Sequence, residues 1–127
     1  QFFCEKIKLY FRRLASNKDE NPVVFQIKEY LHQNYAVPSL SVPDISEHVR
    51  LSPTYVCTLF KNETGQTLNQ YLTDYRIKMS KQFLSDPLYK ITDISAKVGY
   101  SDGNYYSKAF RKIVGLSPSE YREKMLR

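Results

Sequence analysis

An all-α fold of about seven helices, set as two tandem units on a long connecting helix and preceded by an extra N-terminal helix, is what this 127-residue sequence predicts. Three observations carry that prediction. The chain repeats itself: "DISEHVRLS" at 44–52 pairs with "DISAKVGYS" at 93–101 at an offset of 49. From Tyr55/Tyr105 onward the offset is 50, and Phe60/Phe110, Gly65/Gly115 and Tyr71/Tyr121 pair. Apolar residues inside and between the copies recur at helical spacing. Polar–proline pairs and glycines fall where those helices start and stop.

Each element follows in order. Residues 2–15, "FFCEKIKLYFRRLA", read as the extra helix, set apart by "SNKDEN". Asn21-Pro22 supplies a cap and a first-turn proline to a helix whose stripe is Val24, Ile27, Leu31 and Tyr35. Ser41, with Asp44 three residues on, has the form of a capping box opening the first repeat. "RLS" makes a turn, Ser52 caps the next helix with Pro53 at its first position, and Gly65 ends it. Ile45, Val49, Val56, Leu59 and Phe60 fall on one hairpin core. Residues 67–86 form the connecting helix, striped by Leu68, Tyr71, Leu72, Tyr75, Met79, Phe83 and Leu84, and Pro87 stops it. In the second copy a helix over 92–98 leads to Gly99, Ser101 caps, and a helix runs over 102–114 to Gly115. Its core residues are Ile94, Val98, Tyr106, Ala109 and Phe110. Ser117-Pro118 opens a closing helix through Lys124. The segments are therefore 1–20, a connector; 21–66, the first unit; 67–86, the connecting helix; and 87–127, the second unit.

Charge separates the two ends of the chain. Residues 1–49 hold six Lys/Arg and six Asp/Glu, whereas residues 50–127 hold thirteen cations against seven acids. The whole net charge of +6 thus lies with the repeats, which points to a polyanionic partner. Cys4 and Cys57 are far apart, and neither His32 nor His48 has a Cys or His at ligand spacing, so neither a disulfide framework nor a metal site is expected. The chain reads as reduced and cytoplasmic, without a membrane span, secretory signal or cofactor. Its acids are scattered, and it has no Ser/His/Asp grouping and no Gly-rich phosphate loop, which argues against an enzyme. A start at Gln1 suggests a piece of a longer protein or a processed form.

Two helices joined at a steep angle by a turn of three or four residues form a helix-turn-helix, whose second helix enters the DNA major groove. Two such units on one rigid helix suit successive grooves about 34 Å apart. Residues 21–127 resemble the DNA-binding domain of AraC/XylS-type bacterial transcription regulators. The segments that carry the resemblance are "ISEHVRLSPTYVCTLFKNETGQTLNQYLTDYRI" and, more specifically, "ITDISAKVGYSDGNYYSKAFRKIVGLSPSEYR".

By position, the resemblance implies base-reading roles for Thr54, Cys57 and Thr58 in the first unit and for Gly103, Asn104, Ser107 and Lys108 in the second. Helical spacing independently puts Thr54, Cys57 and Thr58 on one face, and Asn104, Ser107 and Lys108 on another. Asn104 suits adenine, Lys108 guanine, and Thr54 or Thr58 a thymine methyl. Cys57 and Thr58 stand where relatives often carry Arg or Gln, so the second unit is expected to supply more of the direct hydrogen bonding. Cys57 also fits a small buried hydrophobe. Phosphate candidates are Ser52, Tyr55, Lys61, Ser101, Tyr105, Arg111 and Lys112, with Lys78 and Lys81 on the connecting helix. The resemblance implies double-stranded promoter DNA as partner, with an activator's contact to RNA polymerase and a regulatory or dimerisation domain in the parent chain. The rival readings are a protein-interaction module of tandem helical hairpins and a non-specific nucleoid DNA binder.

Overall fold

A computed structural model of the chain describes residues 20–127, so the helix expected over residues 2–15 lies outside the described residues. The described residues form α1 (Pro22–Asn34), α2 (Val42–Val49), α3 (Pro53–Thr64), α4 (Leu68–Leu84), α5 (Ile91–Lys97), α6 (Gly103–Val114) and α7 (Pro118–Met125). Local chemistry explains the starts. Asn21 Oδ1 accepts from the Val23 and Val24 N–H groups at 2.8 and 3.4 Å. Thr67 with Gln70 and Ser117 with Glu120 form reciprocal capping boxes on α4 and α7. At α2 both the backbone N–H and the hydroxyl of Ser41 donate to Asp44, each at 3.0 Å.

The two helix-turn-helix turns are built alike but differ by one residue. Leu51 N–H donates to Ser46 O at 3.1 Å, and Tyr100 N–H to Ser95 O at 2.9 Å, the six-residue closure that ends a helix through a left-handed residue. That residue is Gly99 (φ 95°) in the second unit and Arg50 (φ 60°) in the first. The expectation that Ser101 caps α6 is corrected. Asp102 is the cap, its Oδ1 accepting from Asn104 N–H at 2.8 Å, and α6 begins at Gly103. Ser52 plays this part for α3, accepting from Tyr55 N–H at 3.2 Å. The closures therefore match at an offset of 49 and the caps at 50, so the inserted residue lies between Tyr100 and Asp102.

Two cores form. Val24, Ile27, Leu31, Ile45, Val56, Phe60, Leu68 and Leu72 make the first; Ile77, Leu84, Ile94, Val98, Tyr106 and Phe110 make the second. Helix α4 belongs to both, and it does so by changing its buried face. Leu68 and Leu72 are one turn apart, but the next buried residue is Ile77, then Ser80 and Leu84. Five residues from Leu72 to Ile77 rotate the buried stripe by roughly 140° at 3.6 residues per turn. A single continuous stripe, as the sequence suggested, misses Ile77 and Ser80 for this reason. Over its 17 residues α4 is roughly 25 Å long at 1.5 Å per residue.

Candidate nucleic-acid interface

Equivalent residues orient α3 and α6 about their own axes. Val56 and Phe60 are fully buried on α3, as are Tyr106 and Phe110 on α6. Phe60 meets Tyr71 edge-on with ring centroids 5.4 Å apart, and Phe110 meets Tyr121 in the same way at 5.5 Å. Aromatic pairs in this arrangement favour one rotation of each helix over its neighbours. The opposite faces look out to solvent. Thr54, Cys57 and Thr58 are exposed on α3, and Gly103, Asn104, Ser107 and Lys108 are exposed on α6. The buried-hydrophobe reading of Cys57 is thereby overturned, because the 100° step per residue carries it away from Val56.

The same step extends each row. Lys61 follows Thr54 and Thr58 at i+7 and i+3, and Arg111 follows Asn104 and Lys108 in the same way. Tyr55 and Tyr105, one residue around, are 52% and 68% exposed, whereas Tyr106 is 1% exposed. Adjacent tyrosines on α6 thus have opposite environments, one a core residue and one a surface residue with a free edge for a polar partner. Ser52, Ser101 and Lys112 are also exposed.

Charge is unequal between the two faces. Helix α6 carries Lys108, Arg111 and Lys112 and no acid, while Lys61 on α3 is balanced by Glu63. Lys61 Nζ donates to Gly65 O at 3.1 Å, closing the end of its own helix. Arg111 lies 4.0 Å from Glu120 with both side chains largely exposed, a pairing worth little and easily exchanged for another anion. Lys81 sits over the Tyr121 ring at 5.8 Å. Lys112 and Ile113 line a cleft of about 380 Å³ with Gln66, Asn69, Gln70, Thr73 and Asp74 of α4.

Two arginines that sequence reasoning passed over join the helices behind these faces. Arg76 on α4 donates through Nε to Tyr35 O and through a terminal nitrogen to Val37 O, each at 2.9 Å. Arg122 on α7 does the same to Leu84 O at 3.0 Å and Asp86 O at 3.1 Å. The gripped carbonyls are 49 residues apart, as the repeats are, although the arginines are 46 apart. Both arginines satisfy backbone acceptors at or just past a helix end. The available signal was the pair "YRIKM" at 75–79 and "YREKM" at 121–125.

Among the described residues no group of three or more His, Cys, Asp or Glu side chains is placed to hold a metal ion. No described helix is long and apolar enough to cross a membrane.

A family model described as a helix-turn-helix domain matches residues 45–124. The Msm operon regulatory protein of Streptococcus mutans is 36% identical over 110 residues, covering 87% of this chain and 39% of that protein. The chain thus spans about two fifths of that relative's length. The C-terminal domain of AraT, a response regulator from Geobacillus stearothermophilus, superposes with a TM-score of 0.81 at 28% identity, over 84% of this chain and 88% of that one. A transcriptional regulator with an AraC-type DNA-binding domain from Chromobacterium violaceum shares the fold, with a TM-score of 0.76 at 24% identity over 84% of this chain and 94% of that one.

Proposed function

The chain belongs to the AraC-type helix-turn-helix family and is a DNA-binding domain of a transcription regulator, and we propose that it reads promoter DNA by placing α3 and α6 in successive major grooves. One observation carries this reading: two equivalent helices, locked by equivalent core residues, turn polar and basic faces to solvent. On α3 the base-facing residues are Thr54, Cys57 and Thr58; on α6 they are Gly103, Asn104, Ser107 and Lys108. Helix α6 supplies most of the directional hydrogen bonds, since Asn104 suits adenine and Lys108 suits guanine in the major groove. Gly103 lets the α6 backbone approach the duplex closely. Ser52, Tyr55, Lys61, Ser101, Tyr105, Arg111 and Lys112 hold phosphates and fix register without reading sequence.

Residues 21–66 and 87–127 act as the two units, residues 67–86 as their spacer and residues 1–20 as the connector to the rest of a parent protein. That parent works in the cytoplasm, where a regulatory or dimerisation domain and, for an activator, RNA polymerase are the further partners. Methylation protection of guanine N7, in the major groove, and of adenine N3, in the minor groove, tests the grooves on a bound duplex. Protection in two patches about one helical turn, roughly 34 Å, apart on one face is expected. Protection of minor-groove positions, or of one patch alone, refutes the two-groove reading.

A further inference from the structure

Two helices read two grooves as one unit only if their separation and relative rotation are fixed. Each base pair added between half-sites moves the second by about 3.4 Å and turns it by about 35°. Arg76 stands on α4 where the buried stripe changes face, immediately before Ile77. Its guanidinium holds the carbonyls of Tyr35 and Val37, at the end of α1 in the first unit. It also lies 5.6 Å from the ring centroid of Tyr100, in the turn that leads into α6.

Gly99, in that same turn, packs against the same point. A Cβ on Gly99 would lie 2.4 Å from Tyr35 O and 2.7 Å from Arg76 Nε. The turn ahead of the second reading helix is thus pressed against the backbone of the first unit, and only a residue without a side chain allows it. Tyr35 extends the joint, packing against both hydrophobic cores. Arg122 supplies a comparison within the molecule: it grips its two carbonyls in the same way, but those carbonyls lie at the end of α4 itself.

We propose that Arg76, together with Gly99 and Tyr100, is the positioning element that fixes α6 relative to α3 and so sets the half-site spacing this domain accepts. The proposal rests on the two-helix reading above. Arg76 acts through the helices and touches no base. The planar fork of arginine reaches two carbonyls and a ring at once, which the point charge of lysine does not.

The test uses duplexes carrying the two half-sites at native spacing and at one or two base pairs more or less. Affinities are measured for the wild type and for Arg76→Ala, Arg76→Lys, Tyr100→Leu and Arg122→Ala, with a denaturation curve for each. Wild type should prefer native spacing over a one-base-pair shift by about tenfold or more, the low end of what imposed DNA deformation costs. Arg76→Ala should lose most of that preference, with Arg76→Lys intermediate. Arg122→Ala should lower stability and keep the preference. Tyr100→Leu leaves both carbonyl bonds in place, so it carries the test if Arg76→Ala does not fold, and it should flatten the preference too. Equal weakening at every spacing by Arg76→Ala or Tyr100→Leu, or the same flattening by Arg122→Ala, would overturn the proposal. If wild type protects two patches yet accepts all spacings, the positioning role fails and the two-helix reading stands. If one patch suffices, both fail.

Discussion

Replacing Gly99 by alanine probes the joint between the two units without touching a reading face. Gly65, Gly99 and Gly115 all have positive φ, at 80°, 95° and 90°. A side chain in the left-handed region costs about 1–2 kcal/mol, offset by the roughly 0.4–1 kcal/mol that alanine removes from unfolded-chain entropy. For Gly65 and Gly115 the matter ends there, because an added Cβ meets nothing within 4 Å. About 1 kcal/mol is therefore expected at each. At Gly99 the Cβ falls 2.4 Å from Tyr35 O, a backbone atom that cannot swing aside, and 2.7 Å from Arg76 Nε. Overpacking of this kind adds about 1–3 kcal/mol, for a total near 2–4 kcal/mol. Urea unfolding of the three variants, compared at equal m-values, gives the differences directly. A Gly99→Ala cost within about 0.5 kcal/mol of the Gly65→Ala cost would refute the close approach between the units.

Further expectations concern binding, turns and pH. Lys108→Ala should cost about 1–3 kcal/mol on the preferred site and relax selection at one base pair, whereas Lys112→Ala should weaken all sites alike and reduce the salt slope by about one; titrations on preferred and random duplexes separate the two. Arg50→Gly should stabilise the domain by about 0.5–1 kcal/mol in denaturant unfolding, because Arg50 holds φ 60° where the second unit has glycine. Tyr106 has a buried hydroxyl with no partner of hydrogen-bond geometry, although Ser80 lies close enough to oppose the upward pull of burial on its pKa. Tyr106→Phe should accordingly change stability by less than about 1 kcal/mol, in contrast to the roughly 3–5 kcal/mol expected for Phe110→Ala. Hydrogen bonds from the Ser117 backbone and hydroxyl, helped by Arg111, hold the Glu120 carboxyl below its ordinary range. With a depressed folded pKa, the contribution of this cap is present above the unfolded glutamate pKa and lost as pH falls through the folded one. Stability curves of wild type and Glu120→Gln, which keeps an amide oxygen to cap as Gln70 does, should converge across that acidic window; a constant gap would contradict the contribution of the ionised carboxylate.

Local chemistry made most of the fold legible. Asn21-Pro22, Ser52-Pro53 and Ser117-Pro118 start helices because their side-chain oxygens meet first-turn N–H groups, and those pairings need no tertiary context. Gly65 and Gly115 end helices for an equally local reason. What escaped was set by the packing of one element on two others. The α4 stripe jumps from Leu72 to Ile77 because two cores lie on different sides of that helix, and periodicity along a single face has no means to show it. Ser101 pairs with Ser52 in the repeat and has the residue type of a cap, yet the closure through Tyr100 keeps the 49-residue offset and leaves the cap to Asp102. Of the candidate site, the exposed faces on α3 and α6 follow from spacing once Val56, Phe60, Tyr106 and Phe110 are taken as core. The ambiguity at Cys57 was resolved only by the rotation those four residues impose on the helices. Arg76 and Arg122 were invisible because their partners are backbone carbonyls 41 and 38 residues away along the chain, which carry no residue-type signal.

Selection of bound duplexes from a random pool, at near-physiological salt, tests the central claim most directly. Two-helix readout predicts enrichment of an asymmetric site with two preferred patches about one helical turn apart, and predicts that Lys108→Ala blurs one of them while leaving the other intact. Enrichment of a single patch, or of none, would contradict it.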